Sequence, residues 1–157
     1  MACQIVKTKG AVFAVWGRPE VADVDRVVAA ITETAQQAGK PIVYLTRVPQ
    51  GAPAPEGAAK RRMDEILDPV LKNLSSYHVV FEGEGFGAAF KRGVLTNLLQ
   101  PFWRKRMFFV HATCADVKAK LLPEEVGPAQ AVLDLARSRG LLTGTLPTTT
   151  AAAMAAQ

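Results

Sequence analysis

Acidic residues and glycines, the residue types that can bind phosphate or exchange protons, are concentrated around Glu82. Glu82 and Glu84 flank the start of a run, GEGFG at 83–87, in which Gly83, Gly85 and Gly87 alternate with other residues. A glycine-rich turn at a helix start can hold an anion with backbone N–H groups, and paired carboxylates can act as acid and base. The spacing is not that of a dinucleotide-binding loop, and two carboxylates repel phosphate. A tight, capping turn is the favoured interpretation, and the alternative is a small-molecule or nucleotide-binding domain, an enzyme included, that uses the turn at 83–87.

The histidines and cysteines show no catalytic or metal-binding spacing. Cys3 and Cys114 lie far apart in the sequence, as do His78 and His111, whereas zinc ligands come in close pairs. His78 is interpreted as a strand residue at a surface or helix contact. His111 would lie at the same sheet edge as the 83–87 turn if the sheet is parallel. We therefore predict no catalytic residue, no metal, no cofactor and no enzymatic activity.

The net charge of +5 is unevenly distributed. Basic residues cluster at 60–62, 91–92 and 104–106, and such clusters can attract nucleic acid. Few aromatic residues accompany them, whereas a surface that stacks single-stranded bases needs several. Solvated helix faces are the favoured interpretation, so nucleic acid is an unlikely partner, although a basic nucleic-acid-contacting domain stays open as a third possibility.

The length of 157 residues predicts one domain. The longest apolar stretches, 11–16 and 107–110, are too short to span a bilayer. The first ten residues contain no apolar core of a signal peptide. Two cysteines without export signals are typical of a reduced compartment. We expect a soluble cytoplasmic protein.

Apolar periodicity predicts an α/β fold in which single helices separate most strands. The order is β-β-α-β-α-β-α-β-α, which favours a mixed, mostly parallel sheet with an antiparallel hairpin around Gly10. The predicted strands are 4–8, 11–16, 41–48, 77–82 and 106–111. The predicted helices are one from Val24 to a stop at Gly39, 59–74 with a bend or break at Pro69, 88–99, a short one after Thr113 to about Leu121, and one from near Pro128 to Gly140. Residues 1–143 form the predicted domain and 144–157 a flexible tail.

Over roughly residues 4–122, this order of strands and helices resembles that of the STAS domains, specifically the looser bacterial branch called SpoIIAA-like. The resemblance is carried by the hairpin ending in VWGRP, by the strand PIVYLTR before a loop and helix, by HVVFEGEGFGAAFKRGVLTNL and by RMFFVHATCADVKAKL. It implies a non-catalytic regulatory or scaffolding module that binds proteins. The family's antagonists carry a phosphorylated serine in an Asp-Ser-Gly type motif. The corresponding stretch here begins at Thr46, its only hydroxyl, and contains neither Asp nor Ser.

The resemblance and the proline-rich loop at 49–55 together predict a partner-binding surface. Loops at the carboxyl ends of strands often carry recognition, and rigid loops lose little entropy on binding. The surface is predicted to comprise residues 46–55, the start of the second helix and the turn at 82–86, the alternative being that the proline-rich loop is only a connector. Its predicted residues are Thr46, Arg47, Pro49, Pro53, Arg61, Glu84 and Phe86.

A second predicted interface lies after the third helix. Phe102 and Trp103 add apolar surface beyond what one helix normally buries, and they precede the basic residues 104–106. Aromatic side chains beside arginine are typical of protein interfaces. We predict that they pair two copies of the chain or contact another protein, the alternative being that both rings close the end of the sheet. The sequence does not name the partner, the oligomeric state, a small ligand or the pathway.

Overall fold

The computed structural model describes residues 3–53, 55–82 and 108–143, which contain one five-stranded sheet. The strands are β1 (Cys3–Thr8), β2 (Ala11–Trp16), β3 (Ile42–Val48), β4 (Leu74–Phe81) and β5 (Phe108–His111). They lie side by side in chain order. β1 pairs with β2 in antiparallel fashion, and the pairs from β2 to β5 are all parallel. The predicted mixed, mostly parallel α/β sheet is confirmed.

The centre of the sheet is its most apolar part. Every residue of β2 is buried, as its uninterrupted AVFAVW sequence predicts for a strand covered on both faces. A two-residue turn joins β1 to β2, and Gly10 within it has a φ of 93°. Since glycine has no Cβ, it adopts such a φ without strain.

Helices α1 (Val21–Ala38) and α2 (Gly57–Leu71) cover one face of the sheet. Each joins neighbouring parallel strands in the same direction along the sheet, so right-handed crossovers place both on one side. Helix α1 ends at Gly39, which has a φ of 66° and donates its N–H to the carbonyl oxygen of Ala35 at 2.9 Å. Pro41 then prevents continuation.

The opposite face is covered by the carboxyl-terminal part of the described chain. A 3₁₀ helix, η1 (Cys114–Lys120), begins with a capping box formed by Thr113 and Asp116. Helix α3 (Pro123–Ser138) follows, and its residues Ala129, Val132, Leu133 and Ala136 are buried against β1, β2 and β3. The sheet therefore has a core on each face.

Several element boundaries differ from prediction. The last helix begins at Pro123, five residues before Pro128, because proline is favoured at the first helical position. β4 begins at Leu74 rather than Tyr77, since Asn73 accepts a hydrogen bond from Ile42 and brings the chain to the sheet earlier. Helix α2 contains Pro69 and ends at Leu71 rather than at Leu74, so the helix does not break at the proline.

Two predicted elements lie outside the described residues: the helix at 88–99 and the tail at 144–157. The first two residues of the predicted last strand, 106 and 107, lie outside them too. Within the described ranges, no helix combines the length and hydropathy needed to cross a bilayer.

Candidate functional site

The predicted binding residues divide between the interior and the surface. Thr46 and Arg47 are 3% and 2% exposed, and Pro49 is also buried. Pro53 and Arg61 are exposed, at the loop and at the start of α2. A side chain that is almost fully buried offers a partner very little area, so only the last two residues present their side chains. Four other predicted binding residues, Glu84, Phe86, Phe102 and Trp103, lie outside the described residues.

Arg47 ties together the carboxyl ends of the two central parallel strands. Its Nε and Nη2 donate to the two carboxylate oxygens of Glu82 at 2.6 and 2.8 Å, and its Nη1 donates to the carbonyl oxygen of Leu141 at 3.1 Å. The backbone N–H of Glu82 also donates to the carbonyl oxygen of Val48 at 3.0 Å. The two-pronged contact matches the planar geometry of guanidinium to that of carboxylate. Arg47 therefore fixes the base of the loop that follows β3.

The loop that follows β3 forms a tight turn. The N–H of Ala52 donates to the carbonyl oxygen of Pro49 at 3.1 Å, and Gly51 has a φ of 82°. A turn with a positive φ at its third residue requires glycine there. Gln50, Gly51 and Pro53 are exposed at the tip. A rigid base thus supports an exposed tip.

A second polar cluster lies beneath α3, on the other side of β4 from α1 and α2. His111 Nε2 is 2.9 Å from His78 Nδ1, and His78 Nε2 is 3.0 Å from the Ser76 hydroxyl. Ser76 donates to Glu125 Oε2 at 2.5 Å, and Ser75 donates to the same oxygen at 2.8 Å. We call His111, His78, Ser76 and Glu125 the polar chain. All four residues are buried.

The direction of the hydrogen bonds in the polar chain follows from counting hydrogens. Ser76 has one hydroxyl hydrogen, and it points to the Glu125 carboxylate, so the Ser76 oxygen accepts from His78 Nε2–H. His78 Nδ1 then has no hydrogen and accepts from His111 Nε2–H. The chain therefore assigns the same neutral tautomer, with hydrogen on Nε2, to both histidines.

Burial keeps these histidines neutral. Burial, with a smaller contribution from the neighbouring His111, lowers the pKa of His78 to about 3. Burial also lowers the pKa of His111, while Asp116 opposes and Lys120 reinforces that change. The interpretation of His78 as a surface or helix contact underestimated its burial, because His78 is 0% exposed.

The cysteines are poor nucleophiles in this fold. Burial raises the pKa of Cys3 to about 12 and that of Cys114 to about 11, with the Glu82 carboxylate adding to the second effect. Thiolate, rather than thiol, is the reactive form. Within the described ranges, no group of three or more histidine, cysteine, aspartate or glutamate side chains is placed to hold a metal ion.

A hydroxyl-rich cluster lies on the α1 and α2 face of the sheet. Trp16 Nε1–H donates to Thr46 Oγ1 at 3.2 Å and to the Tyr44 hydroxyl at 3.4 Å, and Thr46 donates to Tyr44 at 2.7 Å. Tyr77 stands beside them, with its ring centroid 4.7 Å from that of Tyr44. Burial raises the pKa of Tyr77 to about 12. These phenols are therefore neutral hydrogen-bonding groups.

The sequence analysis missed both polar clusters for a geometric reason. Ser76, His78 and His111 come together with Glu125 only because β5 pairs with β4 in one register and α3 begins at Pro123. The alternation of Ser76 and His78 along β4 was a usable signal, since residues two apart in a strand share a face.

Comparisons with known proteins add no identification. No protein-family model, curated protein or solved structure matches this chain.

Proposed function

We propose that the protein is a non-catalytic, STAS-like regulatory or scaffolding module that acts by binding another protein. The sheet supports this proposal, because its antiparallel hairpin and the parallel strands that follow agree with the order of elements on which the resemblance rests. The expected cytoplasmic location belongs to the same proposal.

The observation that carries the proposal is the loop after β3. Its base is immobilised by Arg47 and by the burial of Pro49, while Gln50 and Pro53 are exposed at its tip. An already ordered loop loses little conformational entropy when a partner binds, so more of its contact energy contributes to affinity. We infer that this tip and the exposed Arg61 at the start of α2 contact the partner.

Burial of the reactive residue types supports the non-catalytic part of the proposal. A general base must come within hydrogen-bonding distance of its substrate. His78, which is 0% exposed, is enclosed by Ser76, His111 and the ring of Phe109. The hydroxyl of Thr46 is likewise occupied by Tyr44 and Trp16, so we assign no phosphorylation switch to it.

Site-specific photo-crosslinking tests the proposal. A photoreactive amino acid replaces Gln50 in the intact chain, which is then expressed in its native cells, irradiated and purified. The control carries the same group at Gln36, an exposed residue of α1. Gln36 lies near the end of α1, which leads to the start rather than to the carboxyl end of β3.

We expect one protein to be crosslinked from Gln50 and not from Gln36, and to bind the purified chain with a measurable dissociation constant. Equal crosslinking at both positions, or captured proteins that show no saturable binding to the purified chain, would contradict the proposal.

A further inference from the structure

The polar chain is a continuous run of hydrogen bonds that all point the same way, from β5 through β4 to α3. His111 Nε2–H donates to His78 Nδ1, and His78 Nε2–H donates to Ser76 Oγ. The Ser76 hydroxyl in turn donates to Glu125 Oε2. His111 is the most exposed of the four residues, at 7%, and its Nδ1 carries no hydrogen in the assigned tautomer. A proton can therefore enter the chain at His111.

A proton that stays on either histidine creates a positive charge inside the protein. The charged side chains of the described residues that act on His111 come from η1, where Asp116 attracts an added positive charge and Lys120 repels it. His78 is 0% exposed and lies against His111 and the ring of Phe109. Because a buried charge is costly unless it is paired, an imidazolium is unfavourable at both positions.

A proton that reaches Glu125 removes a buried charge instead. Glu125 is 3% exposed, and it takes part in none of the ion pairs found within the described ranges. Its carboxylate is held by neutral donors, which are the hydroxyls of Ser75 and Ser76 and the backbone N–H of Leu122. The chain thus connects an entry point at His111 to a group that is better suited to hold the proton.

We propose that the polar chain is a proton relay, in which acid taken up at His111 ends on Glu125 and reverses the tautomers of both histidines. A proton binds to His111 Nδ1, and the Nε2 proton of His111 passes to His78 Nδ1. The Nε2 proton of His78 then passes to Ser76 Oγ, and the hydroxyl proton of Ser76 passes to Glu125 Oε2. The net change is one added proton. All three hydrogen bonds of the chain persist with reversed direction, and both histidines stay neutral with hydrogen on Nδ1.

The relay makes the start of α3 sensitive to acid. Glu125 lies in the first turn of α3, where its Oε1 accepts the backbone N–H of Leu122 at 2.9 Å. A negative charge at this end of a helix is stabilising, so protonation of Glu125 weakens the hold on the first turn. This inference does not depend on the proposed protein binding, because the relay and the exposed residues of the 49–53 loop are built from different side chains.

The test is nuclear magnetic resonance of the full chain, with labelled histidine ring nitrogens and glutamate carboxyl carbons, from pH 7 downwards. We expect both histidines to begin with hydrogen on Nε2 and to exchange it for hydrogen on Nδ1. This exchange should share one midpoint with the titration of the Glu125 carboxyl carbon and with the shift of the Leu122 amide. An imidazolium at His78 or His111 in the folded chain would overturn the proposal. So would unchanged tautomers while Glu125 titrates, or unfolding before either group changes.

Two matched serine variants test the link between the histidines and Glu125. Ser76→Ala interrupts the relay, so Glu125 should still titrate while the tautomers of the histidines no longer change with it. Ser75→Ala removes the other hydroxyl from the same carboxylate oxygen but leaves the relay intact, so the coupled change should remain. Coupling that persists in Ser76→Ala, or that is lost in Ser75→Ala, would refute the relay. Circular dichroism verifies that each variant is folded, and the titration of the unaltered protein decides the question without them.

Discussion

Arg47 shows how one buried charge holds a loop in place. Its side chain is 3% exposed and that of Glu82 is 25% exposed, so the pair is largely shielded from water. Burying a charge is costly unless it is paired and hydrogen-bonded. Removing one member leaves the charge of the other buried and unpaired, which is destabilising. Replacing both by apolar groups of similar size often leaves the stability unchanged.

Arg47→Met should therefore lower the free energy of unfolding by about 3 kcal/mol, as measured by urea denaturation. The double variant Arg47→Met, Glu82→Met should regain most of that loss. Arg137→Ala, which breaks a surface ion pair with Asp134, is the control and should cost less than about 1 kcal/mol. A single Arg47 variant as stable as this control would show that the pair does not hold the strand ends together.

The polar chain makes stability depend on pH. Because the pKa of His78 is about 3 when folded and that of His111 is also lowered, the unfolded chain, with histidine near 6.5, binds more protons at mildly acidic pH. Stability is therefore complete above about pH 6.5 and is lost as pH falls toward 3. We expect the free energy of unfolding to fall by about 1 to 2 kcal/mol between pH 7 and pH 5.

Urea denaturation at the two pH values measures this change, and His78→Leu supplies the comparison. That variant should be less stable at pH 7 but should lose most of the pH dependence. Equal stability of the unaltered protein at pH 7 and pH 5 would mean that the histidines are not held neutral.

At the scale of the secondary-structure elements, adding a Cβ should have opposite effects on stability at two glycines. Gly10, in the hairpin turn, has a φ of 93°, and a Cβ there would lie 3.4 Å from Pro128 of α3. Gly127, inside α3, has no positive φ and has open space where a Cβ would stand. An added methyl group thus strains the first position and favours the helix at the second.

Gly10→Ala should lower the thermal unfolding midpoint, at a cost of about 1 kcal/mol, and Gly127→Ala should raise it by a similar free energy. Scanning calorimetry of the two matched variants measures both effects. The reverse order of midpoints would contradict the positive φ of Gly10 or the helical conformation of Gly127.

The helices and strands also show which structural features the sequence can predict. β2 and α1 were predicted well because each carries a continuous signal: an unbroken apolar run and an apolar stripe that ends at Gly39. The start of β4 was missed because Leu74 also continues the apolar stripe of α2. Local periodicity cannot decide between the two elements, and pairing with β3 does.

At the scale of the whole molecule, loops were easier to predict than side-chain clusters. The proline-rich loop at 49–55 could be predicted because its prolines and glycine fit neither a helix nor a central strand. The polar chain joins β4, β5 and α3 across up to 49 positions, as in the contact between Ser76 and Glu125. Such contacts depend on strand order and register, which no local pattern encodes.

The affinity for the partner crosslinked from Gln50 tests the central claim, that the carboxyl-end loop and the start of α2 bind a protein. The measurement is isothermal titration calorimetry of the purified partner with the unaltered chain, with Arg61→Glu and with the control Gln36→Glu. Arg61 is exposed at the proposed surface, so reversing its charge should weaken binding at least tenfold, while the control should change it less than twofold. Equal dissociation constants for all three proteins would contradict the account.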